Sequence, residues 1–242
     1  MGDIKVRCCG FATSRERYFE TFGVVEVQKT FYQPPRISTA ARWRQEAPPN
    51  FEFTLKAWQL ITHEPKSPTY RRLVAEIPAE QIDRYGSFRP TAEVMGAWER
   101  TRDVAKALGA SVVVFQCPPS FRPSDENIRN MKAFFQAIRE REFTFAWEPR
   151  GKWDVETITA LCKQLDLVHC VDPFKTKPVH GKILYFRLHG RTGYRYKYTG
   201  KDLVALQELS GGTNTCYCMF NNVSVLDDAQ AFQTIVRREE GS

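Results

Sequence analysis

Eight short apolar segments, most of them separated by stretches of helical periodicity, limit most strongly how this chain can fold. They cover residues 4–9, 24–29, 51–57, 111–115, 143–147, 167–171, 183–188 and 215–220. Strands that alternate with helices run parallel, because each crossover returns the chain to the same end of the sheet. The helical stretches carry their own start and stop signals. Thr91 caps an apolar stripe running from Val94 through Trp98 and Val104 to Leu108, and Gly109 ends it. Pro123-Ser124 opens a stripe of Ile128, Met131, Phe134, Phe135 and Ile138, and Asp154 heads one of Val155, Ile158, Leu161, Cys162 and Leu165. Further helices are expected over 201–209 and 226–237, with a weak one over 37–45 and a short segment between the first two strands. Residues 59–90 are a long excursion with several prolines, of the kind that usually serves function. Between the sixth and seventh strands the link holds Pro173 and Pro178 and is too short for a full helix.

Eight parallel strands close a (β/α)8 barrel, and 242 residues lie within its range. The competing architecture is an open doubly wound sheet. No Gly-x-Gly-x-x-Gly follows the first strand and no P-loop pattern occurs. Alternation also separates the two. In the fifth strand Phe143, Phe145 and Trp147 oppose Thr144, Ala146, Glu148 and Arg150. In the second, Val25, Val27 and Lys29 oppose Glu26, Gln28 and Thr30. An open sheet covered on both faces is apolar on both, whereas a barrel keeps polar residues near the mouth of its interior. The expected fold is therefore α/β: one TIM-type (β/α)8 barrel domain over residues 1–242, with the sixth helix reduced or missing.

Charge and cysteines narrow the function. The formal net charge of +7 favours an anionic partner, a small molecule or nucleic acid, and is equally consistent with a solvated basic surface. No apolar run is long enough to span a membrane, and residues 1–5 lead into a strand without a signal-peptide pattern. A cytoplasmic location, no membrane partner and a monomer are expected. The seven cysteines form no Cys-x-x-Cys and mostly sit in apolar runs, as reduced core residues do. No zinc or iron–sulfur site and no cofactor is expected.

Barrel enzymes carry their chemistry at the carboxyl ends of the strands. There the chain places Cys9 and Gly10; Glu26, Thr30 and Tyr32; Lys56 and Trp58; Gln116; Glu148 and Arg150; Asp172; Arg187 and His189; Asn221 and Asn222. Ile183, Tyr185, Arg187 and His189 share one strand face, which ends where the chain turns at Gly190. A guanidinium can hold an oxyanion through two N–H groups, and an imidazole moves protons near neutrality. Glu26, Glu148 and Asp172 are balanced by Lys56, Arg150 and Arg187. That balance fits an internal ion-pair network and argues against a divalent metal, which takes a carboxylate-rich site.

Several segments together carry a family resemblance. They are Cys9-Gly10-Phe11, Glu26 through Thr30-Phe31-Tyr32, Pro48 through Lys56-Ala57 to Ile61-Thr62-His63, and Phe115-Gln116-Cys117-Pro118-Pro119-Ser120-Phe121. They continue with Glu148-Pro149-Arg150, Trp153, Asp172, Arg187-Leu188-His189-Gly190-Arg191 and Phe220-Asn221-Asn222. In these, over essentially its whole length, the chain resembles the YecE-like proteins, also called domain of unknown function 72. The resemblance implies a TIM-type barrel and no assigned activity. The chain departs from the family at Cys8-Cys9, where Thr-Ser is usual, and at Lys29, where a small or polar residue is usual.

Three functions are open at this level. The first is an enzyme acting on a phosphate- or carboxylate-bearing ligand, with Glu26, Lys56, Glu148 and His189 as catalytic candidates. Its ligand-binding candidates are Tyr32, His63, Gln116, Arg150, Trp153, Asp172, Arg187, Tyr194, Asn221 and Asn222. The second is a nucleic-acid-binding barrel without nuclease chemistry. Tyr194-Arg195-Tyr196-Lys197-Tyr198 alternates aromatic and basic groups, as stacking plus phosphate contact requires; an exposed loop with one tyrosine face packed down shows the same pattern. The third is a noncatalytic sensor or partner-binding module. Lys56 is either a reactive amine, if burial lowers its pKa, or the partner of a nearby carboxylate.

Overall fold

The computed structural model describes residues 2–139, 142–212 and 214–240. β1 (Ile4–Cys8) leads through α1 (Arg15–Thr21) to β2 (Val24–Val27). A single helical turn, α2 (Lys29–Tyr32), and α3 (Ile37–Glu46) precede β3 (Glu52–Lys56). The excursion after β3 holds α4 (Gln59–Thr62) and two 3-10 turns, Pro68–Arg72 and Ala79–Arg84. Then follow α5 (Ala92–Leu108), β4 (Ala110–Gln116), α6 (Asp125–Ala137), β5 (Thr144–Glu148), α7 (Val155–Leu165) and β6 (Val168–His169). β7 (Leu184–Leu188), α8 (Gly200–Ser210), β8 (Cys216–Phe220) and α9 (Val225–Glu240) complete the order. Among the described residues no helix joins β6 to β7, where Pro173 and Pro178 disfavour a helix interior.

All ladders are parallel. β2 to β6 form one sheet in sequence order, and β1-β8-β7 form another. Single bridges, Cys9 with Glu26 and Val171 with Phe186, join the two sheets at both edges and give the ring order of a TIM-type barrel. The seams have local causes. At the first, the Arg7 guanidinium bonds the Val6 carbonyl on the strand edge. At the second, the helix-free link folds back, and the His180 carbonyl takes the His169 N–H at 2.9 Å. That contact shortens β6 to two residues, where five are expected from the apolar run. β2 is likewise shorter than expected, because the Thr30 hydroxyl bonds the Val27 carbonyl at 2.8 Å and the Lys56 carbonyl at 2.6 Å, turning the chain into α2.

Alternation sorts the side chains into two cores. Phe53, Leu55, Val113, Phe115, Phe145 and Trp147 face the helices. Val24, Val112, Val114, Ala146 and Val168 from the larger sheet fill the axis with Tyr185, Tyr217 and Met219 from the smaller one. Small and branched groups thus oppose large ones, which is how a narrow barrel fills its interior. Polar bonds also cross the axis: Tyr185 OH to Thr54 Oγ1 at 2.8 Å and Tyr217 OH to Glu52 at 2.7 Å, with Lys5 also bonded to Glu52.

The 59–90 excursion is docked rather than loose. The Gly86 and Phe88 N–H groups bond the Leu60 and Ile61 carbonyls at 2.8 and 2.9 Å. Gly86 has φ +81°, and a Cβ there would lie 2.4 Å from the His63 carbonyl oxygen, so glycine is required. Phe88 follows, fully buried, with its ring 5.3 to 5.4 Å from those of Phe121, Phe134 and Phe135. Phe88→Ala should cost about 3–5 kcal/mol of stability by opening a cavity beneath the excursion. Urea unfolding followed by tryptophan fluorescence checks this; a loss below about 1 kcal/mol would mean that the excursion is not anchored there.

Candidate functional site

The polar cluster at the carboxyl ends of the strands is built on Arg187. It lies one pleat deeper than His189 and has 0% of its surface exposed. Its Nε and Nη2 donate to the two Glu26 oxygens at 3.1 and 2.9 Å, and Nη1 donates to Gln116 Oε1 at 3.2 Å and to Glu148. Glu26 also accepts from Gln28 Nε2 at 2.6 Å and Tyr185 OH at 2.9 Å. Cys9, standing where the family usually has serine, lies 3.5 Å from Glu26 Oε1, and burial pushes its thiol well up. Burial opposes the charge on Arg187, yet Glu148 and Glu26 raise its pKa well above the ordinary value. Arg187, a ligand-binding candidate, here directs its guanidinium at side chains of the barrel interior. Each of its nitrogens is already bonded inside the barrel.

The remaining charges are arranged around that centre. Arg150 Nε donates to Glu148 Oε1 at 2.8 Å, and Arg150 Nη2 meets His189 Nε2 at 2.7 Å. His189 Nε2 is the acceptor there, so its proton sits on Nδ1. Burial raises the Glu148 carboxyl, but Arg187 and Arg150 outweigh it and hold the group well below the ordinary carboxylate range. Burial and the neighbouring cations push His189 down to about 3, and His63 down to about 3 as well, so both rings are neutral. Lys56 is 5% exposed. Among the described residues no carboxylate pairs with it, and its Nζ lies 3.6 Å from the centroid of the Phe31 ring. Burial first, then the charge on Arg187, lower its pKa to about 7.

Of the expected residues, Glu26, Lys56, Gln116, Glu148, Arg150, Arg187 and His189 therefore converge. His63 joins them through Phe31, whose ring it meets edge-on at 4.9 Å. Phe31 was not singled out in the sequence; it lies on the α2 turn, where strand alternation gives no signal. Two clefts open at the cluster. One, of about 470 Å³, is lined by His63, Gln116, Ser120 and Arg150. The other, of about 590 Å³, is lined by Glu148, Arg150, Trp153, Asp172 and His189. Arg150 stands in the wall of both.

Other candidates serve the frame. Asp172 accepts the Phe174 and His189 N–H groups at 3.2 and 3.4 Å, and burial raises its pKa. Trp153 lines a cleft with its indole N–H bonded to the Phe121 carbonyl at 2.8 Å. The Tyr32 ring lies under Arg72, 3.6 Å away. Asn222 is buried, its amide donating to the Tyr196 carbonyl at 2.7 Å and to Asp228 at 2.6 Å, while the Asn221 N–H ties to Leu188 at 2.8 Å. In the tyrosine run Tyr194 is 63% exposed, Tyr196 is half-buried with its OH bonded to Asp202 at 2.7 Å, and Tyr198 is buried. The run is thus the loop packed on one face, not a ladder of exposed rings. Among the described residues no three His, Cys, Asp or Glu side chains are grouped to hold a metal ion. Glu26 and Glu148 face each other across a guanidinium, which occupies the place a shared cation would need.

The buried amine gives a pH signature. Burial holds the Lys56 amine at about 7 in the folded protein, against 10.5 for a free lysine side chain. The unfolded chain therefore binds more protons between those values, and folding is penalised below 7 and relieved as pH rises toward 10.5. Lys56→Met should be more stable than the parent at pH 6 to 7, with the advantage fading toward pH 10. Urea midpoints measured across that range test the shift; an advantage independent of pH would rule it out.

Comparison with known proteins agrees with the architecture. The family model described as "Protein of unknown function DUF72" matches residues 12–241. A search of curated proteins found no match. A DUF72 family protein from Enterococcus faecalis aligns with TM-score 0.73 at 18% identity, over 98% of both chains. One from Thermotoga maritima aligns with TM-score 0.72 at 19% identity, over 97% of this chain and 99% of that one. A xylose isomerase domain containing protein from Salmonella typhimurium aligns with TM-score 0.59 at 13% identity, over 98% and 96%. At such identities the structural likeness speaks for the α/β barrel alone. The family match covers nearly the whole sequence, and the chain belongs to the DUF72 family of proteins of unknown function.

Proposed function

We propose that this barrel is an enzyme acting on a small phosphate- or carboxylate-bearing molecule at the carboxyl ends of its strands. The observation that carries the reading is the position of Arg150. Its side chain is 35% exposed in the shared wall of two clefts, and among the described residues its Nη1 has no hydrogen-bond partner. An anion there meets a guanidinium already oriented by Glu148 and His189, so little rearrangement is needed. Neutral imidazoles at His63 and His189 and the low-pKa amine of Lys56 stand beside it for proton transfer. Arg187, Glu26 and Gln116 then act by positioning Glu148 and closing the floor of the site.

The net charge of +7 also favours nucleic acid as the anion. Against this, the tyrosine run offers one exposed ring rather than a stacking platform. Calorimetric titration with sugar phosphates, nucleotides and short oligonucleotides separates the readings. Saturable binding of a small anion is expected, reduced at least tenfold by Arg150→Ala. Arg187→Ala should instead destabilise the fold by about 3–5 kcal/mol, because buried Glu26 loses its cation and Glu148 keeps only Arg150. Binding confined to oligonucleotides, with a steep salt dependence and no effect of Arg150→Ala, would favour the nucleic-acid reading. Failure of every anion to bind would overturn both.

A further inference from the structure

Lys56 ends β3 with its side chain inside the barrel mouth, and its environment is unusual for a lysine. A buried ammonium is ordinarily paired with a carboxylate. Here the two nearby carboxylates are engaged elsewhere: Glu26 by Arg187, and Glu148 by Arg187 and Arg150. Neither arginine can give up its proton. Among the ionisable groups of the cluster, the amine is the one that can lose positive charge. What it touches is the face of Phe31, and that ring in turn meets His63, which lines the 470 Å³ cleft. Among the described residues the Lys56 amine has no hydrogen-bond partner, and the residue keeps 5% of its surface exposed at the barrel mouth.

We propose that Lys56 is the nucleophile of this site and forms an imine with the carbonyl carbon of a small aldehyde or ketone that also carries a phosphate or carboxylate. The inference rests on the anion-binding reading above, with Arg150 holding the charged end. The neutral amine attacks the carbonyl carbon, a C–N bond forms and the C=O π pair moves to oxygen. One proton passes from nitrogen to that oxygen, giving a carbinolamine. The C–O bond then breaks, the nitrogen lone pair closes the C=N bond, and the second N–H proton leaves with the hydroxyl as water. One amine and one carbonyl thus give one imine and one water, with no change of oxidation state. Gln116 lines the 470 Å³ cleft and its Oε1 is fixed by Arg187, which leaves its N–H groups as the donors assigned to the developing oxyanion. The neutral His63 and His189 add no competing positive charge, and Glu26 and Glu148 favour the protonated iminium through their field.

The charged and titratable groups facing the amine are Glu26 from β2, His63 after α4, Glu148 and Arg150 at the end of β5, and Arg187 from β7. Burial and the two arginines keep a substantial fraction of the amine unprotonated at neutral pH, with a pKa of about 7. Exposed lysines remain almost wholly protonated there.

The test is reductive trapping at pH 7. The full chain is incubated with sodium borohydride and, separately, pyruvate, glyoxylate, glyceraldehyde 3-phosphate or dihydroxyacetone phosphate. Intact mass and peptide mapping then read the adduct. One adduct per chain on Lys56 is expected with at least one probe, lost in both Lys56→Met and Lys56→Arg. Label spread evenly over surface lysines, label that survives Lys56→Met, or no adduct with any of the four probes would overturn the imine. Lactate and glycerol 3-phosphate, which lack the carbonyl, are titrated in parallel. If they bind the parent and Lys56→Met but not Arg150→Ala while no imine is trapped, the anion site stands and the nucleophile falls. If nothing binds and nothing is trapped, both fall.

Discussion

The ion pairs from Arg187 across the barrel axis organise the rest of the molecule. Arg187 comes from the three-stranded sheet; Glu26 and Glu148, at opposite sides of the five-stranded sheet, both bind it. Among the described residues the two sheets share one bridge at each seam. The guanidinium therefore makes, through side chains, the connection that backbone ladders make only sparsely. Tyr185 with Thr54, and Tyr217 and Lys5 with Glu52, repeat the device deeper in the interior. Buried ion pairs are often no more stabilising than apolar packing of the same volume, but removing one partner is costly. Arg187 is satisfied on all three nitrogens, which is the condition under which such burial is tolerable.

That arrangement sets the chemistry left to the rim. Because the arginines hold the carboxylates, the charge that can change near neutral pH is on Lys56, while both imidazoles stay neutral. Arg150 is the guanidinium that reaches the clefts. On the function proposed above, Arg150 is the cation that would meet the charged end of a ligand, above an interior whose carboxylates are already neutralised.

Much of this was legible in the sequence because a strand has a period of two and barrels put function at strand ends. The alternation in β5 and β7 puts Glu148, Arg187 and His189 toward the axis, and the structure agrees. Depth was not legible. Whether a guanidinium at the end of a strand faces a ligand or the interior depends on one pleat of register, and Arg187 and His189 fall on opposite sides of that line. Single-turn elements also escape periodicity, so Phe31 was invisible as a site residue. The tyrosine run alternates as a strand does, yet Asp202 and the core take two of its rings. Asn222 reads as a rim residue, but a buried asparagine amide can equally hold two parts of the backbone together.

The sheet order also constrains how the protein emerges from the ribosome. β1 is made first, but its ladder partner is β8, with Ile4 beside Cys216 and Cys8 beside Phe220. On its other side β1 has one bridge to β2 and the contact of Lys5 with Glu52. From the synthesis of β1 until that of β8, then, the edge of β1 that belongs to β8 stays unpaired, while β2 to β6 can assemble in the order they appear. The first strand of the chain is among the last to be secured, and an exposed strand edge of this kind is what a nascent chain must keep from pairing with its neighbours.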